Sequence, residues 1–419
     1  DGTTSSSGTN PLASNSSRIP GRLNIRFTSA LILLPLLIYV YKNFLHISTY
    51  LMIINPTYFS EYLDASKLTI SRLDDPLGEF WLKDWFNEFI HRDRIFVHSF
   101  PQNEIDIDTL CQFCFNHQDF VHIIILCGQS VPLDEISKLA STHKKVFVLN
   151  DFGHSSEKWF PMLSAHRTFG KGYIGQVPFV PWTSRKYTLS ALSSRYEPHR
   201  WIILSYLHGI KRKDFVYSFH NVWPVSYDLD HFIKTAKSIC NYEVTDFMIK
   251  QIKELMLKAP IVPEGMSIPR PDGKKTDNTH IADQSEIAVY LDSKININLE
   301  GQFVDTGYGC NITEKTMKSL ACGNFPLHVG QSGFYKFLSS MGFNFDTGMD
   351  LSYDEAPQDN RVAKLNGVIN LMKTIEATPE LEKICRKNYE WFHNGWYDSC
   401  EANNRAVLDL LQRRVYEEV

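Results

Sequence analysis

Residues 293–346 have the sequence SKININLEGQFVDTGYGCNITEKTMKSLACGNFPLHVGQSGFYKFLSSMGFNFD. From Ile295 to Leu299 apolar residues alternate with polar ones, which predicts a β-strand. The strand ends at Glu300-Gly301, where a glycine-rich loop begins. An acidic side chain therefore follows directly on the end of a predicted strand.

The rest of this stretch predicts a βαβα unit. Thr313-Glu314-Lys315 begins a helix whose apolar residues are spaced to share one face. Phe325 to Val329 is a second apolar strand, and another helix begins at Phe334 after two glycines. The charged pair Glu314-Lys315 lies at a helix N-terminus. Free backbone N–H groups and the helix dipole favour an anion there, such as a diphosphate.

The same alternation occurs earlier in the chain and predicts a second parallel sheet. The predicted elements are strands at 94–98, 121–126 and 145–149 and helices at 107–115 and 133–142. Later in the chain, a short strand at 215–218 and a mostly helical stretch at 228–256 are also predicted. No G-x-G-x-x-G sequence follows any of these strands, so a dinucleotide site is not indicated. We therefore expect an α/β protein with two Rossmann-like domains facing across a cleft.

Composition shifts along the chain predict five segments. The first two are a disordered Ser-rich tail and a hydrophobic anchor or first core segment. An N-terminal Rossmann-like acceptor domain, a C-terminal Rossmann-like nucleotide-sugar domain and C-terminal helices follow. Their predicted bounds are 1–22, 23–54, 55–185, 186–376 and 377–419. Residues 169–187, rich in Gly, Pro and aromatics, are predicted to connect the two domains.

The uncharged segment 27–41 has two interpretations. As a helix it covers roughly 22 Å, short of the ~30 Å bilayer core, and extension to residue 45 brings it closer. Three Arg residues precede it, which favours a type II signal-anchor and a membrane contact through residues 27–45. The alternative is a buried first segment of the N-terminal domain, with Pro35 marking a break.

Composition and charge bear on whether the protein binds nucleic acid or a metal ion. The chain is 43% apolar and 21% charged with a net charge of −4, so nucleic-acid binding is not indicated. Eight Cys residues are scattered, and the 15 His residues form no tight ligand pattern. Cys111-x-x-Cys114 has no second pair at zinc-site spacing and predicts two ordinary half-buried thiols. We expect no metal site.

The ITEK sequence, after a strand ending in an acidic residue and before PLHVG, resembles the donor-binding segment of α-1,3-fucosyltransferases. It also resembles uncharacterised viral and marine microbial glycosyltransferase-like proteins, which share the ITEKT helix, GFN at 342–344, SYDE at 352–355 and Arg361. The resemblance covers about residues 185 to 375. Two departures leave the sugar and nucleotide open: Asn311 stands where the fucosyltransferases have Tyr, and Gly301 follows Glu300 where they have Asn.

The resemblance implies a GT-B-like, metal-independent glycosyltransferase that inverts the anomeric configuration. The donor would be a GDP- or UDP-linked sugar, serving as substrate rather than cofactor, and the acceptor a glycan or other hydroxyl compound. In a eukaryote such an enzyme is a Golgi-type membrane protein. The alternative is a catalytically inactive glycosyltransferase-like module with a structural or glycan-binding role.

For the donor site, the resemblance implies that Lys315 and Arg200 neutralise the diphosphate. Glu314 would bind a ribose or sugar hydroxyl, and Glu300 would face the same pocket. Asn311 and Thr313 complete the predicted set of nucleotide-sugar-binding residues. The alternative for Glu314-Lys315 is a capping box with a solvated ion pair, because Asn311 and Thr313 are good cap residues.

The acceptor base is expected at the carboxyl end of a strand in the first domain. Asp151 follows the predicted strand at 145–149, with His154 and Glu157 close behind. The alternative is that Asp151 caps a helix beginning at Ser155. Two D-x-D sequences, at 106–108 and 228–230, follow no hydrophobic strand and are interpreted as helix-start acids rather than metal ligands.

Overall fold

The computed structural model describes residues 95–100, 107–126, 133–150, 153–163, 172–193, 195–210, 213–220, 227–264, 266, 284–305, 307, 309–310, 312–356 and 360–418. Within these ranges the protein is α/β, with two parallel sheets flanked by helices. The predicted class is confirmed, and the two sheets are consistent with two Rossmann-like domains. The predicted domain bounds stay predictions.

The hydrophobic segment 27–45 lies outside the described residues, as do the Ser-rich tail and the rest of the chain before residue 95. Among the described helices, none combines the length and the apolar character that crossing a bilayer requires. The signal-anchor interpretation of residues 27–45 therefore stays a prediction.

The first sheet has four parallel strands in the order β1-β2-β3-β4. They are β1 (Ile95–Phe100), β2 (Val121–Leu126), β3 (Val146–Asn150) and β4 (Trp159–Pro161). Helices α1 (Ile107–Asn116) and α2 (Leu133–Thr142) connect the first three strands. All residues of β2 and β3 are buried, as expected for continuous apolar runs in a parallel sheet. The sequence pattern predicted the first three strands but not the short β4.

The second sheet has four parallel strands in the order β6-β5-β7-β8. They are β5 (Tyr187–Ala191), β6 (Phe215–Tyr217), β7 (Ser293–Leu299) and β8 (Phe325–Val329). The sequence pattern predicted all of them except β5, which begins at the last residue of the segment interpreted as a connection. The predicted βαβα unit is confirmed.

Nine helices of the described residues accompany this sheet or follow it. They are α3 (Pro198–Ile210), α4 (Leu229–Cys240), α5 (Asp246–Lys258), α6 (Gln284–Leu291), α7 (Glu314–Ala321), α8 (Phe334–Ser340), α9 (Arg361–Thr374), α10 (Pro379–Trp391) and α11 (Tyr397–Glu418). The sequence predicted one mostly helical stretch from 228 to 256. It is two helices, because Asn241 adopts a left-handed backbone conformation (φ 50°) and ends α4.

Strand β7 is buried on both faces, although its alternating pattern is typical of a half-exposed strand. Asn298 points towards α7, where its Nδ2 donates to Thr316 Oγ1 (3.1 Å) and its Oδ1 accepts from Ser319 Oγ (2.8 Å). Asn296 Nδ2 donates to Ser190 Oγ on β5 (2.9 Å). The buried amides thus have partners, which removes most of the cost of their desolvation.

The loops after β3 and β7 touch each other. Gly153 pairs with Gly309 in an isolated antiparallel bridge. Further along, the backbone N–H of Leu163 donates to Asn404 Oδ1 on α11 (2.7 Å). Loops at the carboxyl edges of the two sheets are therefore in contact.

Arg185 joins three backbone segments of the second sheet. The buried guanidinium donates to the carbonyls of Val180 (2.9 Å), Ser293 (2.6 Å) and Cys322 (2.7 Å). Because Arg185→Ala leaves these buried acceptors unpaired, we expect a loss of about 3 kcal/mol or more in the free energy of unfolding. Urea denaturation measures this loss.

Lys186→Ala is the matched control, because Lys186 is exposed and pairs only with Asp292 at the surface. It should leave the denaturation midpoint unchanged. Equal midpoints for the two variants would contradict the role assigned to Arg185.

Candidate functional site

The second sheet contains a point where the chain reverses its direction of winding. Strand β5 continues into α3, which leads to β6 on one side, whereas β7 continues through α7 to β8 on the other side. The loops after β5 and β7 therefore diverge and leave a crevice at the carboxyl ends of these strands. Open α/β sheets bind their ligands in such crevices. Among the described strands, the order reverses only here.

Glu300 lies at the bottom of this crevice, directly after β7, and is 1% exposed. Its carboxylate accepts hydrogen bonds from Thr313 Oγ1 (2.6 Å) and Thr316 Oγ1 (3.1 Å), both from the start of α7. Burial raises the pKa of Glu300, while nearby Lys315 and the two hydroxyl groups act in the opposite direction. The side chain thus anchors α7 to the end of β7.

Two side chains from the first turn of α3 donate hydrogen bonds to the backbone carbonyl of Glu300. The Glu300 carbonyl accepts from His199 Nε2 (2.8 Å) and Arg200 Nε (3.2 Å). Burial lowers the pKa of His199 to about 3, so its ring is neutral. Arg200 is 4% exposed and keeps its charge, because a guanidinium is not deprotonated in proteins. The crevice therefore contains a buried positive charge.

The other wall of the crevice is the N-terminus of α7. Thr313 is the N-cap residue, and its Oγ1 accepts from the backbone N–H of Lys315 (3.4 Å). Lys315 Nζ donates to Glu314 Oε1 (3.1 Å), and both side chains are partly exposed, at 23% and 30%. The N-cap and the ion pair of the capping alternative are thus both present. They leave the two charged groups at the open end of the helix.

The pKa of Glu314 reflects the surrounding charges. Burial alone would raise it, but the ammonium groups of Lys315 and Lys318 outweigh burial and lower the pKa to about 2. Lys318 is itself buried and forms an ion pair with Glu286 on α6. Glu314 is therefore an ionised hydrogen-bond acceptor over the whole physiological range.

A second group of charged residues, which no sequence pattern indicated, lies near Glu300. Lys364 of α9 is buried and donates to Asp305 Oδ2 (2.8 Å) and to the Gly330 carbonyl after β8 (3.3 Å). Asp305 also accepts from Ser332 Oγ (2.8 Å). A lysine inside a helix and an aspartate in a loop carry no sequence signal that joins them.

Asp354 lies in the same region, in the SYDE segment. Its Oδ2 accepts from the backbone N–H of Tyr335 (3.0 Å) at the start of α8. Burial raises its pKa to about 7, although this hydrogen bond and nearby Lys364 act in the opposite direction. The side chain thus fixes the entry of α8 and is not part of the α7 wall.

Three predicted site residues are not placed in this crevice. Asn311 and Asp151 lie outside the described residues. Glu157 is exposed, in the bend that precedes β4. The capping alternative for Asp151 is wrong, because residues 156–158 form that bend and no helix begins at Ser155. The predicted roles of Asp151 and Glu157 as acceptor base stay predictions.

The described aspartates of the two D-x-D sequences lie at the starts of helices. Asp228 is the N-cap of α4, and its side chain accepts from the backbone N–H of His231 (2.7 Å). Asp230 and Asp108 lie in the first turns of α4 and α1. Their interpretation as helix-start acids is confirmed.

At the carboxyl ends of β5 and β7, the crevice combines a buried guanidinium, a partly exposed ammonium and two carboxylates. Such a set suits a ligand that has both an anionic group and hydroxyl groups. The chain matches no protein-family model and no curated protein. The chemistry of the site is therefore inferred from its geometry.

The low pKa of Glu314 predicts how the stability depends on pH. The folded pKa of about 2 is below the unfolded value of about 4.3. The carboxylate therefore stabilises the fold above that unfolded value, and the contribution is lost as the pH falls through the folded pKa. At pH 7, Glu314→Gln should cost about 2 kcal/mol, and the difference from wild type should shrink in acid. Denaturant titrations from neutral to acidic pH measure it.

Glu390→Gln on α10 is the control for loss of an exposed carboxylate. It should leave the neutral-pH stability close to that of wild type. A cost for Glu314→Gln that stays constant across the whole pH range would show that the ionised carboxylate is not responsible.

Proposed function

We propose that the protein is a glycosyltransferase that uses a nucleotide-activated sugar, with GDP- and UDP-linked donors as the candidates. The observation that carries the proposal is the convergence of Arg200 and Lys315 on the crevice at the switch point. These two side chains come from the first turns of α3 and α7 and lie near Glu300 and Glu314. Together they provide positive charge for a diphosphate and carboxylates for sugar or ribose hydroxyls.

The proposal includes the GT-B-like arrangement, two Rossmann-like domains facing across a cleft. The pairing of Gly153 with Gly309 supports it, because it joins the loops after β3 and β7. Asp151 precedes Gly153 by two residues in the chain. The acceptor base would thus come from the first domain, with Asp151 as the candidate and Glu157 as the second choice.

In the proposed reaction the base removes the proton of an acceptor hydroxyl. The hydroxyl oxygen attacks the anomeric carbon of the donor sugar while the bond to the nucleoside diphosphate breaks. Attack opposite the leaving group inverts the anomeric configuration. Arg200 and Lys315 stabilise the negative charge that develops on the leaving diphosphate. This route needs no metal, and the products are a glycosylated acceptor and a free nucleoside diphosphate.

The partners and location follow the same proposal. The acceptor would be a glycan or glycoconjugate, and fucosyl transfer is one form of the reaction because of the resemblance in the ITEK segment. In a eukaryotic cell, residues 27–45 would anchor the enzyme in a Golgi-type membrane. Pelleting with membranes under carbonate extraction, compared with a variant that lacks residues 1–54, tests this location.

The competing function is an inactive glycosyltransferase-like module that binds a glycan or serves a structural role. One observation favours it: Glu314 and Lys315 already pair with each other, as in an ordinary helix start. Nucleotide binding distinguishes the two functions. Stabilisation by GDP or UDP in a thermal-shift screen supports the transferase, and no response to any nucleotide supports the inactive module.

Lys315 offers the sharpest test of the donor site. Removing a charge-assisted contact costs about 1.5 to 3 kcal/mol, so Lys315→Ala should weaken binding of the nucleotide sugar roughly ten- to a hundred-fold. Thermal stability should fall by less than in Glu314→Gln, because Lys315 is partly exposed and Lys318 still lies near the Glu314 carboxylate. Calorimetric titration and a melting curve measure the two quantities.

Lys387→Ala, at an exposed position of α10, controls for a lost surface charge and should bind the donor normally. Arg200 is buried, so Arg200→Lys is the appropriate companion variant. It keeps the charge but loses the planar guanidinium, and it should also lower the affinity for the nucleotide sugar. Normal donor affinity in Lys315→Ala would end the assignment of this site.

The contact between the two loops gives a separate test of the cleft. Gly153 has φ +79°, and a Cβ atom there would lie 2.7 Å from the Phe337 ring on α8. Gly153→Ala should therefore displace the loop after β3. We expect slower sugar transfer with unchanged donor affinity, because the donor site lies in the second sheet. Turnover assays and calorimetry measure the two effects.

Gly175→Ala is the matched control. Gly175 also has a positive φ (+69°), but a Cβ atom there meets no described atom within 4 Å. It carries the same backbone strain without the collision. Equal turnover in the two variants would contradict a role for the loop contact in transfer.

A further inference from the structure

A buried cluster of nitrogen and sulfur donors lies in the first sheet, outside the crevice. It consists of His98 on β1, His122 on β2 and Cys114 on α1. One potential ligand atom from each residue lies within 4.8 Å of the others, and all three residues are buried. Cys114 is a free thiol with no exposed surface.

The βαβ topology creates this cluster. In the parallel register Phe96 is opposite His122 and His98 is opposite Ile124, so both histidines project from the same face. Helix α1 connects β1 to β2 and packs on that face. Cys114 lies one helical turn after the buried Leu110 and therefore points inward.

The donor geometry is close to that of a zinc site. His98 Nε2 and His122 Nδ1 are 3.1 Å apart. Two nitrogen ligands at the usual 2.0–2.1 Å from a tetrahedral zinc ion are about 3.3 Å apart. Only a small rearrangement would thus admit the ion between the two rings.

His122 also has the partner that zinc-binding histidines usually have. Its Nε2 donates to the His117 carbonyl (3.0 Å), which leaves the Nδ1 lone pair facing His98 and Cys114. A hydrogen bond of this kind fixes the tautomer and the ring orientation of a metal ligand.

We propose that His98, Cys114 and His122 bind a zinc ion. Two imidazoles and a thiolate form a donor set that zinc prefers, and a water molecule can complete four coordination. Binding would release the thiol proton of Cys114, move the ring proton of His98 from Nε2 to Nδ1, and replace the hydrogen bond between the imidazoles. The sequence alone predicts no metal site, because the three ligands are not at the spacing of a local zinc motif.

The position of the cluster indicates a structural role. His122 is the second residue of β2, and Cys114 lies in the last turn of α1. The cluster is thus towards the amino-terminal end of the sheet, whereas ligands of such sheets bind at the carboxyl ends. Zinc would join β1, α1 and β2, and the proposed sugar transfer would still need no metal.

The experiment uses the whole chain, stripped with a chelator and then dialysed against a small excess of Zn²⁺. Elemental analysis should find one zinc ion per chain, and zinc should raise the melting temperature. Titration with Co²⁺ should give a thiolate-to-cobalt charge-transfer band in the near ultraviolet. These measurements on the wild-type chain do not depend on the folding of any variant.

Substitutions then identify the ligands. Cys114→Ser should abolish the charge-transfer band. His122→Gln should lower the affinity for Zn²⁺ by more than the ten- to a hundred-fold that is typical when a hydrogen-bond partner of a ligand is lost. Cys111→Ser is the matched control, because Cys111 lies on the same helix but outside the cluster. It should bind Zn²⁺ and Co²⁺ as wild type does.

Two results would overturn the proposal. One is a wild-type chain that retains no stoichiometric zinc and shows no thiolate-to-cobalt band. The other is a band that persists in Cys114→Ser or disappears in Cys111→Ser, since either would place the metal elsewhere.

Discussion

The buried carboxylate of Glu300 is the constraint on which the candidate site depends. A carboxyl group at 1% exposure is costly unless hydrogen bonds replace those it would make to water. Thr313 and Thr316 supply these bonds through the side chain, while His199 and Arg200 bond the carbonyl of the same residue. One residue thus fixes the starts of α3 and α7 relative to the end of β7. The two walls of the crevice are positioned by the same group.

Burial also determines how strongly the charges of the site act. Arg200 has little exposed surface, so its field is screened less by water and salt than that of a surface arginine. Lys315, by contrast, is partly exposed and can leave Glu314 for an incoming anion at little cost. A fixed buried charge beside an adjustable exposed one suits a site that must hold a diphosphate and later release it.

The sequence predicted the parts of the fold that depend on short-range periodicity. The strands β1, β2, β3, β7 and β8 are apolar or alternating runs, and such patterns follow directly from side-chain geometry. The sequence missed β5 because the strand begins where a Gly-, Pro- and aromatic-rich segment without a clear period ends. It missed β4 because three residues are too few to show one. The break at Asn241 depends on one left-handed residue, which periodicity does not reveal.

Within the site, the sequence by itself determined that Glu300 follows a strand and that Glu314 and Lys315 begin a helix, because these are relations between neighbours in the chain. The tertiary structure alone decided that Arg200 meets the Glu300 carbonyl, that Lys364 pairs with Asp305, and that two histidines and a cysteine share one face of the first sheet. These contacts join residues on different elements. Strand order and register set their distances, and neither quantity is encoded in any local pattern of residues.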